Sequence, residues 1–285
     1  MTILVTGGSG QLGACVRQKL AKLGCQVIAP GHGDFDVADA EQVKAGCAVI
    51  HPSVIVHCAA YNQVDAAEAE PEKCFLTNTT GTMLLAENAA RIGAYMIYIS
   101  SDYVFDGKKR NSYEVSDEKK PLSVYGRSKD EGERAVLSVC AGSAVVRTSW
   151  LFGHGRHNFV ESILNAAKGQ DSIQVVQDQK GSPTYADDLA VLLADMVQKR
   201  CKGIFHATNE GECTRAEFAR KILLLSGSSC RVEEVLSSQY PSAAHRPVNS
   251  ILSKKSLDEA GLSRLPGWMN ALERYLAARK EYRTI

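Results

Sequence analysis

Tyr125 and Lys129 stand four residues apart in VYGRSKDEGE. On a helix they share one face, one turn apart. An ammonium held near a phenol favours the phenolate and draws the tyrosine pKa down from its free value of about 10. A tyrosine tuned this way can hand a proton to a carbonyl oxygen or take one from an alcohol. Taken alone, Y-x-x-x-K also fits an ordinary surface helix. The weight therefore rests on the elements that would position it.

The N-terminus is one of them. TILVTGGSGQLG runs from an apolar stretch, Ile3 to Val5, into Gly7, Gly8, Gly10 and Gly13. Leu12, Val16, Leu20 and Leu23 then recur at helical spacing, and Gly24 closes the segment. Strand, glycine turn and helix in this order suit a dinucleotide pyrophosphate. The turn is tight, the backbone approaches the phosphates unhindered, and the helix N-terminus faces the anion.

Further along, strand patterns fall at 2–6, 25–29, 53–57, 95–100, 143–149 and 203–207. Helical patterns fall at 39–49, 66–91, 125–139 and 187–200. The alternation predicts an α/β fold, a Rossmann-type doubly wound parallel sheet. After about residue 208 the pattern changes. An amphipathic helix begins at Thr214, a plausible N-cap, followed by a strand-like piece at 231–236, a polar loop and C-terminal helices. This predicts a smaller mixed C-terminal substrate lobe. Residues 1–150 are expected to form the dinucleotide-binding core, with 186–208 returning to it, and 151–285 mainly the lobe. No flexible linker separates the two, so the lobe is expected to pack directly on the sheet.

In such sheets ligands bind beyond the carboxyl ends of the strands. The glycine turn, CAAYNQVD (58–65), SSDYVFDG (100–107) and RTSWLFG (147–153) each follow a predicted strand. Composition narrows the partners. Thirty-three basic and 32 acidic residues nearly cancel, without long runs of either sign, which argues against nucleic acid or an anionic membrane. No apolar stretch is long enough to span a bilayer, and the run at residues 3–5 is too short for a signal peptide. A cytoplasmic protein is expected. Nine cysteines, an odd number with no C-x-x-C pair, read as reduced thiols rather than a disulfide or zinc framework.

The segments TGGSGQLG, HCAAYNQVDAAEAEPEKCFLTN, SSDYVFDG, PLSVYGRSKDEGE, VVRTSWLFG, GSPTYADDLA and HRPVNSILS, in that order, resemble the extended short-chain dehydrogenase/reductase family. Within it the chain is similar to the branch that reduces the C4 ketone of dTDP-4-dehydro-L-rhamnose. The resemblance implies Tyr125 as proton donor, Lys129 as its partner on the nicotinamide ribose, and Ser101 as the hydroxyl that orients the carbonyl. Ser100 is expected to point the other way by strand alternation.

For the cofactor, the resemblance implies contacts from Gly7, Gly10, Gln11, Leu12, Gly13, Asp36, Val37, Ala59, Ala60, Tyr61 and Asn78, besides Tyr125 and Lys129. Asn78 is either catalytic or a tie for a helix kink. For a nucleotide-sugar substrate it implies Val64, Asp102, Tyr103, Trp150, Arg246 and Asn249, with Trp150 beside the sugar and Arg246 on the diphosphate. Trp150 equally suits a strand-end core position, and Arg147 a structural ion pair. NADPH is the implied reductant, with NADH tolerated. His32 and Asp34 after the second strand do not decide between them, and no arginine stands there. No set of metal ligands is matched, so Mg2+ and a homodimer both stay open. A dehydratase would need a glutamate after the serine and aspartate, where Tyr103 stands. An epimerase or other nucleotide-sugar enzyme, and a non-catalytic dinucleotide-binding regulatory subunit, remain alternatives.

Overall fold

The structure, a computed structural model, describes residues 1–155 and 157–282. The first half alternates strand and helix: β1 (Thr2–Thr6), α1 (Gln11–Lys22), β2 (Gln26–Ile28), α2 (Ala40–Ile50) and β3 (Val54–His57). Then come α3 (Val64–Ala69), α4 (Pro71–Phe75), a π-helical turn (Leu76–Thr80), α5 (Gly81–Ile92), β4 (Tyr95–Ser101), α6 (Val124–Val139) and β5 (Ser143–Thr148).

The second half is finer grained. It holds β6 (Leu151–Phe152), α7 (Phe159–Ala166), β7 (Ser172–Val176), β8 (Lys180–Gly181), β9 (Thr184–Tyr185) and α8 (Ala186–Lys199). It continues with β10 (Gly203–His206), β11 (Asn209–Glu210), β12 (Cys213–Thr214), α9 (Arg215–Ser226) and β13 (Arg231–Val235). The chain finishes with α10 (Lys255–Glu259), β14 (Leu265–Gly267) and α11 (Trp268–Tyr282).

Six strands form one parallel sheet in the order β10-β5-β4-β3-β1-β2. Strand period 2 sorts the apolar residues to its two faces. Ile3, Val5, Val54, Val56 and Ile97 pack against α1 and α8 on one side. Leu4, Ile55, Met96 and Tyr98 pack against α2 and α5 on the other. The strand order reverses between β1 and β3, so a crevice opens beyond their carboxyl ends, where the glycine turn lies.

A second core holds the lobe together. Phe152, Val160, Tyr185, Phe218, Trp268 and Tyr275 gather between α7, α9 and α11. α9 starts on a capping box: Thr214 accepts from the Glu217 N–H while Glu217 accepts from the Thr214 N–H. The strand-like piece at 231–236 is β13, paired in parallel with β7.

One element differs from its predicted form. The helix expected over 66–91 is broken into α3, α4, the π turn and α5. Pro71, at the first turn of α4, brings no N–H to continue α3. All nine cysteines are free thiols. No helix of the described residues is long and apolar enough to cross a membrane.

Candidate active site

A cavity of about 1040 Å³ runs along the carboxyl ends of the strands. Its floor at one end is the β1–α1 turn, with Gly7, Gly10, Gln11, Leu12 and Gly13 on its wall. The turn is drawn tight by Gly10 N–H donating to the Gly7 carbonyl at 2.9 Å. A Cβ on Gly13 would stand 2.2 Å from that same carbonyl, so no other residue fits there. Asp36 and Val37 line the cavity after β2, and Ala59, Ala60, Tyr61 and Val64 line it after β3. Among the described residues no arginine lies at the β2 end; His32 does, with Nδ1 3.8 Å from Asp36 Oδ1.

The catalytic candidates stand in the middle. Ser101 ends β4, and Tyr125 and Lys129 face the cavity from α6. Ser123 caps α6 by accepting from the Gly126 N–H at 3.1 Å, which sets where the helix starts. A Cβ on Gly126 would stand 2.3 Å from the Tyr103 carbonyl. That glycine lets the turn carrying Asp102 and Tyr103 press against the helix carrying Tyr125. The two tyrosine rings meet edge to face, centroids 5.6 Å apart.

The Ser101 hydroxyl donates to Asp102 Oδ1 at 2.9 Å and lies within hydrogen-bonding reach of the Tyr125 phenol. Asp102 is buried and its Oδ2 has no partner of normal geometry, although the Ser250 hydroxyl is near. Burial raises its carboxyl to about 6. Ser100 points away, as alternation requires, and donates to Glu133 Oε1 at 2.6 Å. Glu133 is in turn held by Arg147 through two contacts of 2.8 Å, a buried structural pair.

The electrostatics differ from the sequence expectation. The tyrosine pKa is not drawn down: burial pushes the Tyr125 phenol up, and the Ser101 hydrogen bond opposes this only in part. Lys129 is the group that moves towards neutrality. It is 2% exposed, and loss of hydration lowers its ammonium to about 7, with Glu133 the largest opposing influence. Its Nζ sits 4.2 Å from the centroid of the Tyr98 ring. One helical turn does bring the two side chains to one face. Loss of hydration then disfavours the charged form of each.

Trp150 also lines the cavity, from the segment between β5 and β6. Its φ of 47° is left-handed, an outlier for so bulky a residue. Asp102 and Tyr103 line the cavity as well.

Three expected contacts are not brought to the cavity. Asn78 lies in the π turn and is fully buried; its amide accepts from Tyr61 N–H at 2.8 Å and donates to Tyr61 O at 2.9 Å. It ties the post-β3 loop instead of facing a ligand. Asn249 donates to the carbonyls of Lys109 at 2.7 Å and Asn111 at 3.1 Å, which uses its amide to hold that loop. Arg246 is paired with Asp65 and lies outside the cavity lining, beside Tyr103. A competing carboxylate from α3 has claimed it.

Of the lining residues that were not anticipated, one carries an uncommitted charge. Arg215, the first residue of α9, stacks its guanidinium 3.6 Å from the Trp150 ring centroid. A cation in the first turn runs against the helix dipole, and that was the available local signal.

A parallel sheet with a glycine turn at its switch point, and a serine, tyrosine and lysine converging beyond it, defines an extended short-chain dehydrogenase/reductase. The family model described as RmlD substrate binding domain matches residues 1–281, and the chain belongs to that family. A Bacillus subtilis spore coat polysaccharide biosynthesis protein, SpsK, is 38% identical over 277 residues, 97% of each chain. The dTDP-4-dehydrorhamnose reductase of Mycobacterium tuberculosis is 38% identical over 283 residues, covering 97% of this chain and 92% of that protein. A Bacillus anthracis dTDP-4-dehydrorhamnose reductase, solved in complex with NADP, superposes with a TM-score of 0.95 at 34% identity, over 97% of this chain and 99% of that one.

Proposed function

We propose that this protein reduces the C4 ketone of dTDP-4-dehydro-L-rhamnose to dTDP-L-rhamnose with NADPH. The observation that carries the reading is a single cavity. It joins the glycine turn to Ser101, Tyr125 and Lys129, with Trp150 also on its wall. The substrate assignment comes from the relatives named dTDP-4-dehydrorhamnose reductase.

The glycine turn fits a dinucleotide. Its backbone is bare where a pyrophosphate would approach, and α1 points its N-terminus there. Asp36 and Val37, which line the cavity after β2, would flank the adenine end. Bound NADPH supplies the hydride and leaves as NADP+. The carbonyl carbon gains that hydride, and its oxygen gains the Tyr125 proton, so the C=O double bond becomes a C–OH. A raised Tyr125 pKa keeps the phenol protonated until the carbonyl oxygen develops charge. Ser101 orients that oxygen, and Lys129 stabilises the phenolate left behind. The indole face of Trp150 suits the apolar C6 methyl of a deoxysugar. NADPH is preferred over NADH on the strength of the NADP-bound relative.

The test is oxidation of NADPH and of NADH with dTDP-4-dehydro-L-rhamnose, beside GDP- and UDP-linked 4-keto sugars. Turnover of the dTDP sugar, faster with NADPH, is expected. Dinucleotide binding without turnover of any of the sugars would identify a regulatory subunit instead.

A further inference from the structure

Lys73, Lys129 and Arg215 are the lysines and arginines on the cavity wall among the described residues. Lys73 is paired with Glu70 at 3.3 Å, and Lys129 sits over Tyr98 in the catalytic centre. Arg215 differs from both. Its guanidinium donates no hydrogen bond and forms no ion pair among the described residues. It is held flat by aromatic faces, 3.6 Å from the Trp150 centroid and 5.0 Å from that of Phe159. A guanidinium stacked this way is fixed in direction while its edge N–H groups stay available, two of them spaced to match paired oxygens of a phosphate. Asp102 and Tyr103 act on this half-buried cation without reaching ion-pair distance, so an anionic ligand would give it a direct partner.

The substrate proposed above carries its negative charge on the diphosphate. Arg246, the residue expected to meet it, is engaged by Asp65 outside the cavity. We propose that Arg215 anchors the diphosphate of the nucleotide sugar, using Trp150 as the platform that aims it. This rests on the nucleotide-sugar reading of the site. It makes Trp150 serve two ends of one ligand: the sugar along the wall shared with Asp102, and the diphosphate through the arginine stacked on its ring. Anchoring the diphosphate from α9 also ties substrate binding to the lobe rather than to the sheet.

The experiment measures binding of dTDP, and of uncharged thymidine, to the NADP-bound enzyme by calorimetry. Wild type, Arg215→Met and Arg215→Lys are compared at low and moderate salt. Arg215→Met is expected to weaken dTDP about 10- to 100-fold, the usual loss of a charged hydrogen bond, with thymidine unchanged. Arg215→Lys is expected to keep part of the affinity, because the charge survives and the fork is lost. If Arg215→Met does not fold, the lysine variant decides. A dTDP affinity within twofold of wild type in the variants overturns the proposal. So does an equal loss for thymidine, which would mean that Arg215 only packs the lobe. A wild-type enzyme that binds no dTDP, UDP or GDP removes the nucleotide-sugar reading and this inference together.

Discussion

The two ends of the cavity are built on different plans. At the glycine-turn end, backbone makes the wall, and groups within a few residues of each other set its shape: Gly10 on Gly7, and Gly13 against the same carbonyl. At the lobe end, side chains from distant segments make the wall. Tyr103 follows β4, Trp150 follows β5, and Arg215 opens α9. The first end is preformed and nearly independent of side-chain identity beyond glycine. The second keeps polar groups in reserve: Asp102 Oδ2 has no hydrogen bond of normal geometry, and the Arg215 guanidinium has no hydrogen bond or ion pair among the described residues, although each feels the other's charge. On the proposed reading, a generic cofactor would be met by backbone, and a particular substrate by uncommitted side chains.

Between the two ends lies the chemistry, and the largest expected effect tests that division. Tyr125→Phe should lower kcat by about 10²- to 10⁴-fold, the usual worth of a positioned general acid, while the NADPH Kd stays near wild type. An equal loss of NADPH binding would show that the two ends are not separable. Next in size is Glu133→Gln. It leaves Arg147 buried with its charge uncompensated, at a cost of about 3–5 kcal/mol. A fall in Tm of about 10 °C is expected by calorimetry. A Tm within about 2 °C of wild type would mean that the pair is not the structural pillar under Ser100.

The pH profile sharpens the comparison at the centre. Lys129 is charged below about 7 and loses its charge as pH rises through that value. Tyr125, pushed up by burial, stays protonated throughout the neutral range. Free-enzyme kcat/KM for reduction should therefore fall as pH rises through about 7, as long as the proton donor needs the ammonium beside it. A profile flat to about pH 9 would take Lys129 out of that role. The smallest effect is expected at Arg246. Arg246→Ala removes a guanidinium already satisfied by Asp65, so KM for the nucleotide sugar should rise by less than about threefold. A rise larger than that of Arg215→Met would move the diphosphate contact back to the loop.

The contrast also explains which parts of the site were legible beforehand. Gly7 to Gly13 and the pair Tyr125 and Lys129 lie within single strand, turn or helix segments, so spacing alone places them. Ser100 and Arg147 were also placed well, because strand alternation and a buried charge leave few options. Asn78, left open between a catalytic part and a tie, makes the tie, and Arg246 and Asn249 stand outside the cavity lining, for one shared reason. Each has a polar partner more than ten residues away, Tyr61, Asp65 and Lys109 respectively, and that partner takes up its hydrogen-bonding capacity. Arg215 was missed because Trp150 lies 65 residues upstream, and the two stack only once the lobe core has formed.

By itself the sequence determined the sheet, its winding and the chemical type of the site, because strand and helix periodicity and glycine spacing act over a few residues. Only the tertiary structure decided which charges remain available to a ligand and in which protonation state. Those depend on burial and on distant partners: Tyr125 goes up and Lys129 comes down because folding removes water from both.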